Sequence, residues 1–214
     1  MKSFIFAGTV ATFALATLAS ASPYQGMEIE WVDNGGAIEG STYRVYANVD
    51  AGARIDAVFG NSTNELNIDV ENGGFVQSQY GGATSQDINA AFFPFFPELQ
   101  YDTFVTIGLL DNGGNALNNV GIDWTDFENG GALVTSNGSW FVTPDDAQGD
   151  EVGGRVLIGQ FTITEGGSLI GQVSLQGKDA DGVTWQALSV SWVPAPGALA
   201  LLGVAGLAGR RRRR

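Results

Sequence analysis

The stretch Thr42-Tyr43-Arg44-Val45-Tyr46-Ala47-Asn48-Val49 decides how this chain folds. In an extended backbone successive side chains point to opposite faces, so Tyr43, Val45, Ala47 and Val49 share one side while Arg44, Tyr46 and Asn48 share the other. One face is made for a core and one for water, as in an antiparallel sheet. The period of two and the β-branched and aromatic content argue against a helix.

The same pattern recurs outward from there. Tyr101, Thr103, Val105 and Ile107 alternate along one predicted strand, and Leu157, Gly159, Phe161 and Ile163 along another. Leu169, Gly171, Val173 and Leu175 mark a third, and a last strand is predicted over 184–193. Between the strands stands an acid-Asn-Gly-Gly motif, at 33–36, 71–74, 111–114 and 128–131. Asn and Gly tolerate the positive φ of tight hairpin turns, so each copy is expected to be a hairpin corner. The copies lie 38, 40 and 17 residues apart, which excludes a solenoid or propeller repeat. Asp181-Gly182 predicts one more hairpin. One short helix is expected over 86–93, with Ser85 or Asp87 as its cap and Pro94 as its terminator. The expected fold is all-β: a single antiparallel β-sandwich, jelly-roll-like, of about eight to eleven strands.

The two ends follow different rules. Lys2, an apolar run over 4–18 and the small residues Ala19, Ser20 and Ala21 form a signal-peptide pattern, predicting a signal helix over 1–21 that signal peptidase removes before Ser22. At the other end Pro194, Ala195 and Pro196 precede an apolar stretch over 197–209, then Arg210, Arg211, Arg212, Arg213 and Arg214. Thirteen residues make a helix about 20 Å long, against a hydrocarbon core of about 30 Å, so this is a short transmembrane helix suited to a pause in the bilayer. The arginines would stay on the cytoplasmic side, leaving the preceding chain across the membrane. Three regions follow: a leader at 1–21, a body at 22–193 and a tail at 194–214.

The tail resembles the PEP-CTERM sorting signal of Gram-negative bacteria, in which Pro-Glu-Pro precedes an apolar helix and an arginine cluster. Ala195 stands where that motif has Glu, and the run from Val193 to Gly203 resembles the Pro-Ala-Pro-Gly variant associated with planctomycetes and marine bacteria. The resemblance implies the secretion machinery, signal peptidase and an exosortase as partners. It also implies transient membrane contact and a destination in the cell envelope, outer surface or extracellular matrix. It identifies cargo and assigns the body no activity.

All 23 acidic residues lie in the body, against only Arg44, Arg54, Arg155 and Lys178, a formal charge of −19. Such a surface repels nucleic acid and anionic headgroups. The chain has no cysteine, so a core rather than disulfides must hold it. It has no histidine, which removes Ser-His-Asp and Cys-His triads and the usual zinc sites.

Candidate chemistry is sparse. Asp145, Asp146, Asp150 and Glu151 form one acidic loop cluster, Asp123, Asp126 and Glu128 a second, and Asp179 with Asp181 a third. Hard carboxylate oxygens suit Ca²⁺, and the first cluster is the one assigned to it, although none has EF-hand spacing. Otherwise no cofactor is expected. Trp31, Trp124, Trp140, Trp185 and Trp192 could stack on sugars or fill the core, with Trp140 and Trp185 singled out for glycan contact. Phe92-Phe93-Pro94-Phe95-Phe96-Pro97 is either an aromatic plug at one end of the sandwich or an exposed patch for a partner. A glycoside hydrolase would need two close carboxylates, which spacing alone does not supply, and Thr162-Ile163-Thr164 is too short an array for ice binding. The expected function is therefore a non-catalytic, sorted surface or matrix protein, with a calcium-assisted carbohydrate-binding module as the alternative and exopolysaccharide as the natural surroundings.

Overall fold

The structure, a computed structural model, describes residues 22–192, and there the alternating segments become eleven strands. They are β1 (Tyr24–Val32), β2 (Ser41–Val49), β3 (Arg54–Gly60), β4 (Leu66–Glu71), β5 (Phe104–Val105) and β6 (Asn118–Val120), then β7 (Leu133–Thr135), β8 (Gly138–Phe141), β9 (Arg155–Ile163), β10 (Ser168–Lys178) and β11 (Thr184–Trp192). All the ladders are antiparallel and form two sheets. The smaller runs β1-β2-β9-β5; the larger contains β6, β8, β3, β10, β4, β7 and β11.

The larger sheet is built in five rows. On one edge β10 pairs with β11; on the other, Ser174 to Lys178 pair with β3 and Ser168 to Gln172 with β4. The segments β3 and β4 are thus two halves of one interrupted strand. Their neighbours β8 and β7 are interrupted at the same level, where Gly60 pairs with Gly138 and Leu66 with Thr135. β6 completes the sheet beside β8.

The inner faces of the two sheets meet in a common core, giving a sandwich-like all-β body. Val45, Ala47, Val49, Val156, Ile158 and Phe161 from the smaller sheet join Ile55, Val58, Leu66, Ile68, Trp140, Val173 and Leu175 from the larger. The predicted inward face of β2 is inward: Val45, Ala47 and Val49 are buried and Tyr43 packs against the same cluster. On β10, Leu169, Val173 and Leu175 are buried as expected, and the space at Gly171 is filled by the ring of Trp192, leaving no room for a Cβ.

Several expectations are corrected. The predicted helix over 86–93 is instead two 3-10 turns, Ser85–Asp87 and Ala90–Phe92. Thr84 caps the first in a reciprocal box with Asp87, and Asn89 caps the second, so two local Asx and Thr bonds break the segment where one helix would need an uninterrupted ladder. Among the described residues the one α-helix is α1, Thr125–Glu128. The strand expected over 101–107 pairs only at Phe104 and Val105, because Tyr101 ends a 3-10 turn and at Thr103 the side-chain Oγ1, not the main chain, bonds Thr162 of β9. Of the four acid-Asn-Gly-Gly copies only 33–36 joins paired neighbours, β1 and β2. Positive φ falls on Gly35 and Gly36 there, on Asn72 in the second copy, on Gly114 in the third and on Gly130 in the fourth, so identical letters make different corners. The Asp181-Gly182 hairpin stands as expected, with Gly182 at φ +78° and Asp179 Oδ1 accepting from the amides of Asp181 and Val183.

The leader and tail, with Ala19, Ala21, Pro194, Ala195, Pro196, Arg210, Arg211, Arg212, Arg213 and Arg214, lie outside the described residues, as does Val193. Among the described residues no helix is long and apolar enough to cross a membrane.

Candidate functional site

The two tryptophans singled out for glycan contact are core residues. Trp140, on β8, is fully buried, and its indole Nε1 donates to the carbonyl of Thr106 at 3.0 Å. Trp185, on β11, is 8% exposed and belongs to the same core. Each points inward because its strand position has the parity of the core face, so neither presents a ring to a sugar. Trp31, at the end of β1, is the tryptophan with a largely exposed ring.

The first acidic cluster is dispersed by a cation that arrives from a distant strand. Arg54, at the start of β3, donates through Nε to Asp56 Oδ1 at 2.6 Å and through Nη1 to Asp150 Oδ1 at 2.8 Å. Its Nη2 donates to the carbonyls of Asp146 at 2.6 Å and Thr143 at 3.2 Å. The carboxylate of Asp146 caps the 3-10 turn Ala147–Gly149 through the Gln148 amide, and Asp145 is exposed. Glu151 accepts from the amides of Gly52 and Gly154, which hold its carboxyl below the usual range. Three of the four side chains expected to share calcium are therefore turned to separate tasks, and the fourth, Asp145, faces solvent. Among the described residues no three acidic side chains gather in a metal-holding arrangement.

In the second cluster Asp123 and Asp126 line a depression of about 510 Å³ with Asn129, Gly131, Ala132 and Val134. Asp123 is occupied at the start of α1: the amide and hydroxyl of Thr125 hold its carboxyl below the usual range. Glu128 does not line the depression. The third pair forms the β10–β11 turn already described.

Two surfaces stand out once the predicted sites are placed. One is the outer face of the smaller sheet, where Arg155 lies 3.9 Å from the centroid of the Tyr46 ring and pairs with Glu28 at 2.9 Å and Glu30 at 2.8 Å. The alternation of β1 and β2 puts Glu28, Glu30, Arg44 and Tyr46 on this side, and Arg44 donates to Gln160 of β9 at 3.1 Å. The other is the Phe-Pro segment, which divides its rings. Phe93 and Phe96 pack on a second small core of Ile88, Leu99 and Phe104, whereas Phe92 is 46% and Phe95 76% exposed. Neighbouring Val105 belongs to the main core, so Phe104 and this second cluster lie on the outer side of β5 rather than at an end of the sandwich. The amides of Phe95 and Phe96 both donate to the carbonyl of Phe92, folding the segment into a tight knob, and Tyr80 stacks on Phe96 with centroids 3.8 Å apart.

Sequence reasoning passed over Asp102. It is fully buried beneath this knob; Oδ1 accepts from the amides of Ser78 at 2.6 Å and Thr103 at 2.8 Å, and Oδ2 has no partner. Burial pushes its carboxyl up to about 7, against the opposing pull of those amides. An acid between Tyr101 and Thr103 carries no local signal of this, because the residues that enclose it come from 78–82. Comparison with protein-family models, with curated proteins and with solved structures gives no match to this chain.

Proposed function

We propose that this chain is an exported, non-catalytic protein of the cell surface or extracellular matrix. Its leader over 1–21 would pass it to the secretion machinery and signal peptidase, and its tail would hold it briefly in the inner membrane for an exosortase. The observation that carries the proposal is the order of parts in the tail: Pro194-Ala195-Pro196, thirteen residues over 197–209 too few for a comfortable span, and five arginines. The body supports the reading in two ways. It holds a continuous core without cysteine, as exposure outside the cell demands of a chain that lacks disulfides. Many of its carboxylates serve the fold, accepting from turn amides or pairing with Arg54 and Arg155.

The test is the intact mass of the protein recovered from its native envelope. A chain ending near Val193 or Pro196, with or without an added glycan, fits sorting; a chain that keeps Arg210 to Arg214 fits a plain anchor and sinks the exosortase reading.

Exposed aromatic rings favour carbohydrate binding as a second reading, moved from Trp140 and Trp185 to Tyr80, Phe92 and Phe95. Glycan-array binding that disappears in Phe95→Ala would favour it, and an array silent for the wild type would remove it.

A further inference from the structure

The segment 78–82 crosses the buried face of Asp102 with few other ties. On one side of it Val76 donates its amide to the carbonyl of Thr162, and Thr103 Oγ1 donates to the carbonyl of Val76. On the other side the carbonyl of Ala83 accepts from the amide of Val105, and Thr84 is boxed with Asp87. Between those anchors, Gln77 Nε2 donates to the carbonyl of Phe127, the Ser78 amide donates to Asp102 Oδ1, the Gly82 amide bears on the same carboxyl, and Tyr80 stacks on Phe96. Gly81 lies directly on the unpartnered Oδ2, so closely that a Cβ there would collide with it.

Burial is what disfavours an anion at Oδ2. Leu99 and the Gly81-Gly82 backbone cover the carboxyl, Thr103 flanks it, and β9 faces its main chain with the uncharged amide of Gln160. Asp87, on the turn Ser85–Asp87, bears on it with the same sign of charge, and among the described residues no Lys or Arg is paired with it. The amides of Ser78, Thr103 and Gly82 favour the charged form, and burial outweighs them. Oδ2 makes no hydrogen bond in the closed fold and lies under the two glycines, so the shortest route by which solvent reaches an anion there is to lift them.

We propose that Asp102 is a proton-operated clasp: with its proton it keeps the segment 78–82 closed and Tyr80 on Phe96, and on losing that proton to solvent it releases the segment and bares the Phe96 ring. The direction agrees with the upward displacement of its carboxyl by burial. The aromatic knob is thus a smaller apolar surface in acid and a larger one in mild alkali.

The purified full-length protein tests this by limited chymotrypsin digestion at pH 6.0 and pH 8.5, with the cut after Tyr80 measured against the cut after Phe95, which is exposed in both states. The ratio is expected to rise at least fivefold with pH in the wild type and to stay flat in Asp102→Asn. A flat wild-type ratio, or an equal rise in Asp102→Asn, overturns the clasp. Should the variant fail to fold, the ¹³C shift of the wild-type Asp102 carboxyl decides: a midpoint near 7 supports the proposal, and one below 5 overturns it.

Discussion

Replacing Arg54 with Ala probes the densest polar junction of the body. The guanidinium and the Asp56 carboxylate are 11% and 6% exposed, and Nε lies 2.6 Å from Oδ1. Removing one partner of a buried pair costs about 3–5 kcal/mol, most of it the price of the orphaned charge. The arm to Asp150 is a small part, because that carboxylate is 55% exposed and an open ion pair contributes about 0–1 kcal/mol. The carbonyls of Thr143 and Asp146 also lose a donor, but they lie in a loop where water replaces it. Arg54→Ala is therefore expected to lose about 3–5 kcal/mol in urea unfolding followed by tryptophan fluorescence, and Asp150→Asn less than about 1 kcal/mol. The double variant Arg54→Ala, Asp56→Asn removes the stranded charge and is expected to recover about 1–2 kcal/mol of the single loss. If Arg54→Ala costs under about 1 kcal/mol, or the double variant is no more stable than the single, the account of a cation satisfying a buried acid is wrong.

Three further outcomes follow from the described contacts. Trp140→Phe keeps most of the ring volume and strands the Thr106 carbonyl, so thermal or urea unfolding should show a loss of about 1–3 kcal/mol, with Trp140→Ala costing about 3–5 kcal/mol. Phe95→Ser should change stability by less than about 0.5 kcal/mol while Phe96→Ala costs about 2–4 kcal/mol, since one ring faces water and the other is wedged between Tyr80 and the second core; a reversal would misplace the knob. Asp102 binds its proton more tightly folded than unfolded, so its stabilisation is complete below its unfolded value of 3.8 and fades as the pH rises through about 7. A displacement of that size corresponds to at most about 4 kcal/mol, and urea unfolding at pH 5 and pH 8.5 should show the wild type losing stability relative to Asp102→Asn over that interval.

Much of the framework was legible because it rests on parity. In β2 and β10 the residues that alternate in the sequence are those that alternate between core and outside, and the Asp181-Gly182 turn is local chemistry. What escaped depends on residues far apart in the chain. Gln160 and Thr162 on β9 look solvent-facing, yet Gln160 donates to the carbonyls of Gln100 and Asp102, and Thr162 Oγ1 bonds with Thr42 and Tyr101, so both are buried under a covering segment. The acidic loop at 145–151 resembles a cation site until Arg54, about 90 positions earlier, is placed in its middle. Trp140 beside a Ser-Asn-Gly-Ser corner suggests an exposed ring, and only the pairing of Trp140 with Val58 puts its side chain inside. The acid-Asn-Gly-Gly motif specifies a bend without specifying which peptide takes the left-handed conformation, so it could not foretell which copies join paired strands.

The twin interruption of the larger sheet has a practical corollary. Between β3 and β4 the chain leaves and re-enters within a loop closed on itself, Asn61 and Asn64 exchanging both main-chain bonds at 2.9 and 3.1 Å, while β10 independently sets the alignment of each half. Added length between Ser62 and Thr63 would extend outward without sliding either half along its neighbour, which makes this loop a natural place to graft a peptide cargo onto the scaffold.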